Sequence, residues 1–178
     1  MIKLDSTEYT KYCDLTKKSW KHAFTTNCYA FALGLDIAER LIKKDAYQPG
    51  TLTDHNLNMY FTFEQLIECL TSDLDYLGIE YHEAHPLQKV KENEWKIAIF
   101  VQIKQYLNSE ILLSDFHFLR EIDEVWYHKS GYYGMPTNKD SHSNIIFNPT
   151  ECYIYGKEYQ KTYTLKIKKN WYFFFFLL

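Results

Sequence analysis

The chain has 178 residues, of which 46% are hydrophobic and 24% charged, enough to bury a core without disulfides or metals to hold it. Its formal net charge of −3 lacks the basic footprint of a phosphate-tracking binder, so nucleic acid is not an expected partner. Sixteen tyrosines and 12 phenylalanines against 6 glycines and 4 prolines favour packed strands over disorder.

One domain is expected over residues 1–178, with its core in about 20–170. Residues 1–19 are polar, with scattered aromatic anchors and no periodic signal, and read as a segment wrapping the body of the domain. They also lack the charged, apolar and cleavage regions of a secretory signal, which makes the expected location cytoplasmic. From Cys28 to about Lys44, Phe31, Leu35, Ala38 and Leu41 recur at helical spacing, with Glu39, Arg40, Lys43 and Lys44 on a wet face. Pro49-Gly50 marks a turn, and a second amphipathic helix is predicted from about Thr62 to Leu77, stopped by Gly78.

The period then changes from 3.6 to 2. Residues 94–105 read as a buried strand around Ile97-Ala98-Ile99-Phe100-Val101. Two more strands, Asp115–Arg120 and Glu124–Lys129, are separated by a short turn at Ile122-Asp123 and form a predicted hairpin. After a loop rich in turn residues come a strand at Asn144–Phe147 and another at Tyr163–Ile167. The last eight residues, Trp171–Leu178, are too few to span a bilayer as a helix, which takes about 20, and read as a terminal strand or tail; no membrane span is expected. The fold class is α+β, with N-terminal helices packed on an antiparallel sheet.

Four cysteines, at 13, 28, 69 and 152, show neither a disulfide framework nor a C-x-x-C pair. Cys69 sits in an apolar run and reads as a buried inert thiol, and Cys13 and Cys152 as structural. Cys28 differs: a polar lead-in, Thr25-Thr26-Asn27, runs straight into an apolar helix, so its thiol lies where backbone N–H groups favour thiolate. A two-residue turn at Ile122-Asp123 would set His117 directly opposite His128 on one face. Cys28 as nucleophile, His117 as base and His128 as the group that orients it then fill the three roles of nucleophilic catalysis on an amide-type carbonyl, which needs no cofactor. Asn27 is a candidate oxyanion donor, Asp115 and Asp140 are candidate network members, Asp140 also as a substitute for His128, and Trp126 is a candidate cleft wall. His82 and His85 form an H-x-x-H spacing beside Glu80 and Glu83, but Pro86 and the lack of a third ligand argue against a metal.

A cysteine opening a helix, then a histidine on a strand, then a polar residue a dozen positions later resembles the NlpC-type branch of the papain-like cysteine peptidases. More narrowly, Asn27-Cys28-Tyr29-Ala30-Phe31-Ala32-Leu33, Asp115-Phe116-His117-Phe118-Leu119-Arg120 and Trp126-Tyr127-His128-Lys129-Ser130-Gly131 resemble a poorly characterised set of microbial and viral proteins carrying such segments in this order. The resemblance covers about residues 20–150. It implies a papain-like α+β fold, a peptidase or amidase working through an acyl-enzyme, and the roles already assigned to Cys28, His117 and His128. The expected partner is a peptide or other amide-containing substrate. An acyl transferase on the same triad, or a silent version of the fold that binds a protein, are the alternatives.

Overall fold

A computed structural model describes residues 3–4, 26–36, 48–55, 57–91, 94–107, 110–131, 134–151, 153–154 and 161–169. The expected N-terminal wrap, apart from Lys3–Leu4, and the Trp171–Leu178 tail lie outside the described residues, as do Cys13 and Cys152.

The first helix, α1 (Cys28–Leu33), is much shorter than the periodicity suggests. Gly34 ends it: with φ 71° and ψ 30° it adopts the left-handed conformation that closes helix C-termini, and its N–H caps the carbonyls of Ala30 and Phe31. The apolar period continues past Gly34, but Leu35–Asp36 is a short strand, β2, paired with β1 (Lys3–Leu4). Residues 37–47 of the expected helix lie outside the described residues.

The second helix, α2 (Phe63–Tyr76), falls where expected. Thr62 and Gln65 form a reciprocal capping box, and Leu66, Leu70 and Leu74 supply the buried stripe.

The rest is an α+β architecture built on one six-stranded antiparallel sheet, in the order β3-β8-β4-β5-β6-β7. Its strands are β3 (Ile79–Glu83), β4 (Glu94–Leu107), β5 (Glu110–Ile122), β6 (Val125–Lys129), β7 (Pro136–Thr137) and β8 (Lys161–Lys169). β3 carries His82, so the H-x-x-H spacing lies on a strand and the loop after it rather than on a helix. Residues 144–147 do not form the expected strand. Ile145 makes only an isolated bridge to Lys139, while Ile146 accepts from the N–H of Trp126.

The β5–β6 hairpin turns at Asp123-Glu124, both at positive φ (51° and 64°), not at Ile122-Asp123. That is the backbone a two-residue hairpin demands to match strand twist. The register therefore pairs Leu119 with His128, and His117 is a diagonal rather than a direct neighbour.

Strand alternation divides the core. On one face α1 and α2 cover Ile97, Ile99, Val101, Phe118, Leu165 and Ile167, with the rings of Tyr29 and Phe118 5.0 Å apart. On the other, Ala98, Phe100, Leu119 and Trp126 pack with Ile146 and Ile154.

Candidate active site

Asn27 starts α1 by the expected physics, but its side chain is used for the helix. Its Oδ1 accepts from the N–H of Ala30 at 2.9 Å, and its backbone carbonyl accepts from Phe31. The carbonyl of Asn27 is thus committed as a cap, and only its amide nitrogen matches the oxyanion role considered from sequence.

Cys28 is the first helical residue, with its side chain partly buried against the helix-side core. Burial pushes its thiol up to about 11, against the N–H groups of Phe118, Tyr29 and Cys28 itself, which lower it; the charge of Asp115 adds to the rise. The sulfur therefore lies beside the peptide that joins His117 to Phe118. That place is set by the ladder: β5 and β6 pair from Ile122↔Val125 only as far as Leu119↔His128, so Phe118 is the first β5 residue beyond it.

The structure brings the two histidines together. His117 Nε2 lies 3.2 Å from His128 Nδ1, and their rings meet edge to face. Both side chains are buried. His128 Nε2 is 3.0 Å from the carbonyl oxygen of Lys139. A carbonyl can only accept, so His128 Nε2 carries a proton. Burial lowers the His128 pKa, the Lys139 contact opposing it, which favours the neutral ring. A neutral ring protonated at Nε2 has its lone pair on Nδ1, so His117 must donate from its own Nε2. His117 is thereby fixed as the tautomer whose Nδ1 holds the basic lone pair.

Among the described residues Cys28 and His117 are not joined by a hydrogen bond. Phe118 points toward α1, and His117 alternates to the other side of β5.

The remaining candidates separate by what they touch. Asp115 accepts from its neighbour's N–H, Phe116, at 2.9 Å, and sits at the register shift after Gln102, close enough for its charge to act on Cys28. Asp140 is a turn former: its carboxylate accepts from the N–H groups of His142 and Asn144, organising the loop whose preceding residue, Lys139, supplies the carbonyl on His128. Trp126 is fully buried in the second core cluster with Lys96 Nζ 5.6 Å from its ring centroid, so it is a core residue and not a cleft wall. Cys69 is buried on α2, as expected.

Sequence reasoning missed Asp73. Fully buried on α2, it accepts from Tyr29 Oη and the Gly50 N–H at 2.8 Å, and from the Leu52 N–H at 3.1 Å, with Thr53 Oγ1 at 3.2 Å. It ties the residue after Cys28 to the Pro49-Gly50 turn. The signal available was an acidic residue on the apolar side of a helix, which spacing alone reads as an interruption.

A cavity of about 810 Å³ lies elsewhere, around the β5–β6 turn, and is lined by Leu87, Trp95, Lys96, Arg120, Val125 and Phe147 among others. It contains none of Cys28, His117 and His128. Three of its charged groups are already matched, Lys96 with Glu121 at 2.8 Å and Glu94 with Lys166 at 3.3 Å, so volume alone does not make it the chemical centre. Among the described residues no helix is long and apolar enough to cross a membrane, and no group of three or more His, Cys, Asp or Glu is placed to hold a metal ion.

No protein-family model matches the chain, and neither does any curated protein or solved structure with which it was compared.

Proposed function

We propose that the protein is a papain-like, NlpC-like cysteine hydrolase that cleaves an amide-type bond through an acyl-enzyme. Cys28 attacks the carbonyl as thiolate, His117 takes and returns the proton through Nδ1, and His128 holds the tautomer of His117. The observation that carries this reading is the directed relay from His117 Nε2 through His128 to the Lys139 carbonyl, beside a thiol seated on the His117–Phe118 peptide. A histidine buried only for packing has no need of a second histidine that dictates which of its nitrogens is basic. In this reading Nδ1 must reach the sulfur past the last β5–β6 pair, Leu119↔His128.

A second reading, a silent version of this fold that binds a partner protein, draws on the thiol near 11 and on the missing Cys28–His117 hydrogen bond. Labelling with iodoacetamide between pH 5 and 9, in the parent and in His117→Ala, separates the two. Selective modification of Cys28 near neutral pH that falls sharply without His117 supports the hydrolase. Equal, slow labelling of all four cysteines in both proteins refutes it.

A further inference from the structure

Asp73 is a buried carboxylate for which the proposed mechanism has no use. It lies on the apolar face of α2 among Leu66, Leu70 and Leu74, fully out of solvent. Its Oδ2 accepts from Tyr29 Oη and from the Gly50 N–H, both at 2.8 Å. Its Oδ1 accepts from the Leu52 N–H at 3.1 Å and from Thr53 Oγ1 at 3.2 Å. A carboxylate offers about four acceptor sites, so this one is fully used. Directed, charge-assisted bonds of this kind fix their donors in one geometry, which apolar packing alone does not. Three of the donors belong to the loop after Pro49; the fourth belongs to α1.

The α1 donor is the residue next to the candidate nucleophile. Cys28 stands between two committed neighbours. Before it, Asn27 is held as the helix cap by the Ala30 N–H at 2.9 Å. After it, Tyr29 is fully buried, with its hydroxyl on Asp73 and its ring edge to face with Phe118 at 5.0 Å. Tyr29 and Phe118 are also the residues whose backbone N–H groups act on the Cys28 thiol, against the charge of Asp115. One tyrosine therefore links the two peptides that matter to the sulfur, and Asp73 holds the far end of that tyrosine.

We propose that Asp73 is a positioning residue for the candidate nucleophile: by anchoring Tyr29 it holds the first turn of α1 against Phe118, and so sets where the Cys28 sulfur sits relative to the N–H groups of both residues. The inference rests on the hydrolase reading and deepens it. Asp73 acts through Tyr29 and takes no part in the proton transfer, which stays with His117.

The test is the pH profile of Cys28 alkylation by iodoacetamide, in which sulfur bonds to the methylene carbon as iodide leaves, with each labelled cysteine identified by peptide mass. The proteins compared are the parent, Tyr29→Phe, Asp73→Asn, His117→Ala and Ile154→Val. The last trims the opposite core and lowers stability away from α1. Loss of the anchor is expected to move the Cys28 inflection upward, by about half a unit in Tyr29→Phe and about one unit in Asp73→Asn. The rate at pH 7 then falls about threefold and about tenfold. Ile154→Val should keep the parent profile. A purely structural role carries the opposite sign, because loosening uncovers a buried thiol and raises its rate at every pH. Cys69 reports that loosening separately, since its thiol lies 3.7 Å from the His55 carbonyl oxygen, just past the loop that Asp73 ties down. If Asp73→Asn does not fold, Tyr29→Phe decides, because it removes one hydroxyl and keeps the ring that packs on Phe118. A Cys28 profile unchanged in Tyr29→Phe, or Cys28 and Cys69 labelling that rise together, overturns the role of Asp73, while the hydrolase reading stands as long as labelling depends on His117. Cys28 labelling that is slow and independent of His117 overturns both.

Discussion

The relay through His128 makes a prediction about pH that joins stability to chemistry. The His128 ring lies buried with its Nε2 proton on the Lys139 carbonyl and its Nδ1 lone pair turned to His117. A second proton on Nδ1 would set two donors 3.2 Å apart. The folded protein therefore resists protonation of His128, and burial lowers its pKa from 6.5. In the window between the lowered folded value and 6.5, the unfolded chain binds more protons than the folded one, so stability falls as pH falls. One such histidine contributes a slope of at most about 1.4 kcal/mol per pH unit, and at pH 5.5 has removed up to about 1.4 kcal/mol relative to pH 7.5. His128→Gln keeps a donor and an acceptor but does not titrate.

Urea unfolding of the parent and His128→Gln at pH 7.5 and 5.5 measures this directly, because every other titrating group is common to both proteins. The parent should lose more stability on acidification, by up to about 1.4 kcal/mol. Cys28 labelling should fall more steeply over the same window in the parent than in His128→Gln, because a protonated His128 forces His117 to move its own proton onto Nδ1, the nitrogen it needs as base. Equal losses of stability in the two proteins would show that His128 is not held neutral, and the tautomer argument would fail with it.

Asp73→Asn replaces one of two oxygens that face two donors each with a further donor, and is expected to cost about 3 kcal/mol or more in thermal or urea unfolding. Tyr29→Phe removes one of those partners and should cost about 1 kcal/mol, with the double variant less destabilised than the two costs added. Gly50→Ala places a Cβ 1.8 Å from the carbonyl oxygen of His55 at φ 88°, and should destabilise by more than the ~1 kcal/mol of an ordinary left-handed glycine, read as a drop in melting temperature.

Much of the fold was legible because long, strongly periodic segments declare themselves. Thr62-x-x-Gln65 before Leu66, Leu70 and Leu74 carries its own start signal and its own buried stripe, and α2 follows it closely. The failures are places where local chemistry overrode a pattern. Gly34 interrupts a run of apolar residues whose spacing continues on both sides, and a single left-handed residue outweighs that spacing. Ile145-Ile146 looks like a strand, yet the backbone bonds of Ile146 go singly to Asn138 and to Trp126 of β6 rather than into a ladder. Trp126 read as a candidate cleft wall because one strand cannot say which of its faces is covered by chain 20 residues further on.

The histidine pair was legible for a reason that outlasts the error in the turn. Moving the hairpin turn from Ile122-Asp123 to Asp123-Glu124 shifts the partner of His128 from His117 to Leu119, two residues along β5. Because side chains alternate with a period of two, such a shift exchanges a direct partner for a diagonal one and leaves the face unchanged; a shift of one would have buried one imidazole and turned the other out. The same shift changes what Cys28 can touch. With His117 paired directly, the ladder would have run past Phe118 and closed the edge on which the thiol now rests. Ending the ladder at Leu119↔His128 leaves Phe118 beyond the last pair, so the register that displaced His117 from its expected partner also left the Phe118 N–H to act on the Cys28 thiol.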